Sequence, residues 1–135
     1  MLCIACEDLD GSQVKLIVVV DDDKFSRRLL EKFLGGEGYT VTKARNGAQA
    51  LDMLAKEQFD LLITDVSMPR IGGLKLLEEV KGRYPMPAIV VTATDIDSDT
   101  QRRSYSLGAR KFMLKPLDRE ELLLTVRGIL NNDEA

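Results

Sequence analysis

The chain contains no histidine among its 135 residues. Cysteine is scarce too: only Cys3 and Cys6, spaced C-x-x-C. A zinc site of that spacing would need a second pair or histidines. A redox pair would sit where a strand meets a helix, not in a ragged leader. The two thiols are therefore read as incidental to a leader over residues 1–13. Two cysteines and no sign of export suggest a reducing cytoplasm. No apolar run approaches the roughly 18 residues of a membrane span. The opening MLCIACEDLDGSQ lacks the positive start and long apolar core of a signal peptide. Neither a membrane partner nor an export route is expected. The net charge of −3 argues against a broad basic surface, so direct nucleic-acid binding is not expected either. No G-x-x-x-x-G-K-[ST] stretch occurs, which argues against direct use of ATP.

What is present is an ordinary globular balance, 44% hydrophobic and 30% charged, in a length that suits one core. From Val14 onward strands alternate with helices. Lys15 to Val20 carries the continuous apolar run LIVVV, of the kind buried on both faces. A helix follows with Phe25, Leu29, Leu30, Phe33 and Leu34 as its expected apolar face, ending at Gly35 and Gly36. The alternating YTVTKA, Tyr39 to Ala44, predicts a strand near a sheet edge. Asn46 can cap a helix whose stripe is Ala48, Leu51, Leu54 and Ala55. Leu61 to Thr64 predicts a buried strand, and a helix over 72–84 should bury Leu74, Leu77 and Val80. AIVVT, Ala88 to Thr92, is a fourth strand. A weakly apolar helix over 98–107 should stop at Gly108, and KFML, Lys111 to Leu114, is a fifth strand. Asp118 with Glu121 starts a last helix to about Leu130, on which Leu124 should be exposed, opposite Leu122, Val126, Ile129 and Leu130.

Five strands alternating with helices predict an α/β fold with a parallel sheet covered on both faces. All strand C-termini then lie on one edge, where open α/β sheets keep their sites. That edge collects Asp21, Asp22, Asp23, Asp65, Thr92 and Lys115. Asp65 alone would read as a capping carboxylate at a strand end. Convergence from four strand ends changes the reading. Carboxylates about 4 Å apart repel by roughly 4 kcal/mol at an effective dielectric of 20, so the cluster calls for a cation. An all-oxygen site with room for water suits Mg²⁺. A metal beside a nucleophilic carboxylate, with Lys and Thr opposite, is equipment for phosphoryl transfer.

VVVDDDKFSRRLL, LLITDVSMP, IVVTAT and KFMLKP, in that order and spacing, resemble the receiver domain of two-component response regulators. The resemblance covers about Val14 to Leu130. It implies a flavodoxin-like (βα)5 three-layer sandwich with strand order 2-1-3-4-5. It places the receiver domain at 14–131, with a tail at 132–135. It also implies the roles. Asp65 matches the phospho-accepting aspartate. Asp21 and Asp22 match the acidic pair that binds Mg²⁺, with Mn²⁺ as an alternative ion. Ser67 would add its backbone carbonyl to the metal site. Thr92 and Lys115 match the groups that contact the phosphoryl group, and Phe112 the aromatic switch, here without a hydroxyl. A cis peptide is implied at Lys115-Pro116.

The resemblance further implies a signalling phosphoacceptor rather than a free-standing enzyme. Its donor would be a sensor histidine kinase or a phosphotransfer protein, since the chain has no histidine of its own. Phosphorylation would reshape the surface of the fourth helix, fifth strand and fifth helix for an effector or output domain. No sequence for such a domain follows Leu130, so the chain is a stand-alone regulator or a piece of a larger one. Two alternatives stay open. Asp21 and Asp23 also read as the D-x-D of haloacid-dehalogenase-like phosphatases, although Lys24 departs from that pattern. A receiver-like binding module that is never phosphorylated is the other. Asp23 itself reads first as a helix-start charge.

Overall fold

A computed structural model describes residues 14–66, 72–92 and 98–131. The leader over 1–13 with Cys3 and Cys6, the tail over 132–135 and Ser67 lie outside the described residues. The elements are β1 (Leu16–Val20), α1 (Lys24–Gly35), β2 (Thr40–Ala44), α2 (Gly47–Lys56) and β3 (Leu61–Asp65). They continue as α3 (Gly73–Val80), β4 (Ala88–Thr92), α4 (Ser98–Ser106), β5 (Ala109–Leu114) and α5 (Arg119–Leu130). All pairings are parallel, in the order β2-β1-β3-β4-β5. No described helix is long and apolar enough to cross a membrane.

Successive strand residues point to opposite faces, so a continuous apolar run feeds two cores at once. Ile17, Val19, Leu61, Ile63, Ile89 and Val91 face one side, against Leu30 and Leu34 of α1 and Leu122, Val126 and Ile129 of α5. Val18, Val20, Leu62 and Val90 face the other, against Ala50 and Leu54 of α2 and Leu76, Leu77 and Val80 of α3. The result is three layers with β1, β3 and β4 in the middle. Their strands carry no polar side chain until the C-terminal end, at Thr64, Asp65 and Thr92.

Three helix starts are set by side-chain caps, two of them, Asn46 and Asp118, at the expected residues and the third at Asp23, expected only as a helix-start charge. Asp23 accepts from the Ser26 N–H, Asn46 from the Gln49 N–H and Asp118 from the Glu121 N–H. Each occupies one otherwise unpaired helix donor. Gly108 follows α4 with φ +109°, a left-handed conformation that glycine takes without strain. The Lys115-Pro116 bond is cis, and Leu124 is 64% exposed, both as expected.

The helix faces differ in detail. Phe25 is 72% exposed rather than part of the α1 core face. At about 100° per residue it lies about 180° from Leu34, so only Leu30 and Leu34 are fully inside. On α2 the buried set is Gly47, Ala50 and Leu54, while Ala55 is exposed. On α3 Leu76 is buried and Leu74 only partly, and the helix ends at Val80, just before a turn in which Gly82 has φ +86°. Strand β5 starts at Ala109 because Ala109 pairs with Ala88 ahead of a bulge. Helix α4 buries only Ser104.

Candidate functional site

Asp21 follows β1 directly, and its N–H donates to the Ala44 carbonyl at 3.1 Å, extending the ladder by one residue. This draws an ionisable side chain into the sheet edge, where it is fully buried. Both carboxylate oxygens are engaged: Oδ1 accepts from the Asp23 N–H at 2.9 Å, and Oδ2 from Lys115 Nζ at 2.6 Å. The Asp21 carbonyl accepts from Arg27 Nη1 at 2.6 Å, which ties the first turn of α1 to the strand end. Asp65 ends β3 next door and is 6% exposed. Asp22, one residue beyond Asp21, is exposed to solvent.

Lys115 follows β5, two strands away from β3. Its backbone N–H donates to the Thr92 carbonyl at 2.8 Å, so the side chain starts from a fixed point beside β4. The ammonium crosses to Asp21 at 2.6 Å, Ser26 Oγ at 3.2 Å and Asp65 Oδ2 at 3.3 Å. Burial pulls the lysine pKa down, but the hydrogen bond and charge of Asp21, with the charge of Asp65, outweigh it and hold the pKa above its usual value. Thr92 is buried at the end of β4. Phe112 sits on β5 opposite Val90, half-buried against the α2–α3 side of the sheet.

Asp21, Asp22 and Asp65 each offer an oxygen, all within 4.8 Å of one another. Three carboxylates thus gather where the Lys115 ammonium pairs with two of them, Asp21 and Asp65, and the excess negative charge favours a cation. The donors are hard oxygens, and Asp22 opens to water, which fits a small hydrated divalent ion. Asp23 is separate. Its carboxylate accepts the Ser26 N–H at 2.9 Å, and this bond above all holds its pKa below the usual carboxylate range. It caps α1, as its helix-start position led one to expect.

Gly73 completes the floor. A Cβ there would meet the Asp65 carbonyl oxygen at 2.2 Å, and the Gly73 N–H donates to the Val66 carbonyl at 2.9 Å. Helix α3 therefore starts in direct contact with the backbone under Asp65. The sequence places Asp21, Asp22, Asp65, Thr92 and Lys115 correctly at one edge. Ser26, Arg27 and the closeness of Gly73 were not foreseen, since polar residues in a helix's first turn and glycines in a turn carry no such signal.

A family model described as the response regulator receiver domain matches residues 17–127. The chain belongs to that family. This receiver domain is 36% identical over 117 residues to the DNA-binding transcriptional regulator NtrC of Escherichia coli. The match takes in 87% of this chain but 25% of NtrC. It is 39% identical over 115 residues to the response regulator MprA of Mycobacterium tuberculosis, covering 84% of this chain and 50% of MprA. The receiver domain thus spans at most about half the length of these relatives. Among solved structures, a CheY-like receiver domain protein from Methanospirillum hungatei superposes with a TM-score of 0.84 at 30% identity, covering 90% of this chain and 98% of that one. The receiver domain of a signal transduction histidine kinase from Syntrophus aciditrophicus gives 0.80 at 30% identity, covering 90% and 93%.

Proposed function

We propose that this receiver domain accepts a phosphoryl group onto Asp65 from the phosphohistidine of a kinase or phosphotransfer protein. The observation that carries the reading is the Lys115 ammonium, brought from β5 to 2.6 Å from Asp21 and 3.3 Å from Asp65. A largely enclosed lysine drawn from β5 to two buried carboxylates at the ends of the adjacent β1 and β3 has little packing value, and removing one partner of such a group is costly. It is the arrangement phosphoryl transfer needs: a nucleophile, a fixed cation and a place for a metal.

Asp65 Oδ attacks phosphorus opposite the imidazole nitrogen. The P–O bond forms as the P–N bond breaks, and the imidazole leaves and takes a proton from solvent. Lys115 stands close enough to pair with the incoming phosphoryl oxygens. Asp21, Asp22, Asp65 and the Ser67 carbonyl would hold Mg²⁺, which supplies charge neutralisation and alignment when bound. Thr92, at the neighbouring strand end, would follow the phosphoryl group, and Phe112 would then alter its burial. Water later attacks the acyl phosphate, releasing inorganic phosphate and restoring the carboxylate.

The output surface is α4, β5 and α5, where Leu114 and Leu124 are exposed and α4 has a thin apolar footing. NtrC is named as DNA-binding, so a nucleic-acid output would belong to a region other than this acidic domain. The dehalogenase-like alternative gains nothing from the geometry: Asp21 is fully buried with both oxygens engaged, and Asp23 faces Ser26. Labelling by acetyl phosphate with and without Mg²⁺ tests the reading. Asp65→Asn should abolish labelling, Asp22→Asn should weaken Mg²⁺ binding yet label slowly, and Lys115→Ala should impair the response to the phosphoryl group. Mg²⁺-dependent labelling of Asp65→Asn at the wild-type rate would overturn the assignment, and no labelling of the wild type would favour a module that is never phosphorylated.

A further inference from the structure

An ammonium has three N–H donors, and that of Lys115 has three partners among the described residues. Two are the carboxylates of Asp21 and Asp65; the third is the hydroxyl of Ser26, at 3.2 Å. Ser26 stands in the first turn of α1, three residues after the capping Asp23. The Asp23 carboxylate accepts the Ser26 N–H at 2.9 Å, which fixes the turn that carries the hydroxyl. An ammonium has no lone pair, so toward it a hydroxyl can only accept. Ser26 Oγ is thus the acceptor of this pair, on a first turn fixed by the Asp23 cap. Two of the three acceptors, Asp21 and Ser26, belong to the β1–α1 side, and the ammonium stands nearer to Asp21 than to Asp65.

We infer that Ser26 is a positioning residue for phosphoryl transfer: it holds the Lys115 ammonium toward α1 and so sets how closely the ammonium approaches Asp65. The inference rests on the phosphoacceptor reading above. Without the hydroxyl, an ammonium in a side chain only 15% exposed keeps Asp21 on the α1 side and loses its second acceptor there. The ammonium keeps its 2.6 Å bond to Asp21, and the donor released from Ser26 turns toward Asp65, the other carboxylate in reach, where a shorter charge-assisted bond occupies the nucleophile. The cap is kept in Ser26→Ala, because the bond to Asp23 that defines it comes from the backbone N–H.

The test uses the whole chain with acetyl phosphate and Mg²⁺, comparing wild type, Ser26→Ala, Ser26→Thr, Lys115→Ala and the Ser26→Ala/Lys115→Ala double variant. Ser26→Ala should lower the maximal labelling rate by about three- to tenfold, as for one lost hydrogen bond, with little change in the half-saturating acetyl phosphate concentration. Ser26→Thr should restore it. In the Lys115→Ala background the Ser26 substitution should have no further effect. A second readout needs no phosphorylation: the slowly exchanging Lys115 ammonium signal in proton–nitrogen NMR should be present in wild type and Ser26→Thr and broadened in Ser26→Ala. A wild-type rate in Ser26→Ala, an equal slowing without Lys115, or an unchanged ammonium signal would each overturn the inference. Absence of labelling in the wild type would instead overturn the phosphoacceptor reading, and the kinetic role of Ser26 with it, while the NMR comparison still reports whether the hydroxyl holds the ammonium.

Discussion

Replacing Gly73 with alanine tests whether the backbone under Asp65 is as tightly built as the geometry states. The added Cβ would stand 2.2 Å from the Asp65 carbonyl oxygen, 2.9 Å from Val66 Cα and 3.0 Å from the Asp65 carbonyl carbon. The first distance is more than about 1 Å short of ordinary contact. All three neighbours are backbone atoms, so none can swing aside. Helix α3 must back away from β3, stretching the 2.9 Å bond from the Gly73 N–H to the Val66 carbonyl. Overpacking of this kind costs about 1–3 kcal/mol and the weakened hydrogen bond about 1 kcal/mol. The better helix propensity of alanine returns about 1 kcal/mol. The net expectation is a loss of about 2 kcal/mol. With a urea m value of about 1–3 kcal/mol/M, the unfolding midpoint should fall by about 1 M. Gly35→Ala is the control, because a Cβ there meets nothing within 4 Å. It should be neutral or stabilise by up to about 1 kcal/mol, since Gly35 is the last residue of α1. Equal midpoints for Gly73→Ala and the wild type would refute the account of the α3 start.

Leu122 and Leu124 are two residues apart on α5 but 0% and 64% exposed. Leu122→Ala should cost about 2–5 kcal/mol and Leu124→Ala less than about 0.5 kcal/mol in the same urea assay; equal costs would contradict the helix phase. Tyr39 has its pKa raised, first by burial and then by Glu37, with Arg127 opposing. A raised folded pKa means stability that is complete below the unfolded value of about 10 and is lost as pH rises through the folded one. Wild type should therefore lose stability relative to Tyr39→Phe above about pH 10, and a constant difference from pH 7 to 11 would contradict the burial. Amide hydrogen exchange should be faster in α4, which buries only Ser104, than in β1, β3 and β4. Equal protection would remove the basis for a loosely held output helix.

Much of this site could be read from the chain alone because of one topological fact. In a parallel sheet every strand ends on the same edge, so polar residues that close apolar runs must gather there. LIVVV before Asp21, LLIT before Asp65 and AIVV before Thr92 are such endings. The caps at Asn46 and Asp118 were equally legible, since a cap is set by residues three apart, whereas Asp23 read only as a helix-start charge. The phase of each helix was less so. On α1 the residues Phe25, Leu29, Leu30, Phe33 and Leu34 form a stripe too wide to be buried whole, and only packing against the sheet and α5 selected Leu30 and Leu34 and left Phe25 outside. The same holds for Leu76 on α3 and Ala55 on α2.

Local pattern thus determined the elements, their order and the edge on which the carboxylates and Lys115 meet. Tertiary structure alone decided which polar groups touch. Ser26 and Lys115 are 89 residues apart, and nothing in either neighbourhood encodes their 3.2 Å contact. Gly73 looked like any turn glycine until the Asp65 carbonyl was found against it. Strand and helix periodicities are properties of consecutive residues, whereas an ammonium's choice among Asp21, Asp65 and Ser26 depends on how two layers and three strand ends settle against one another.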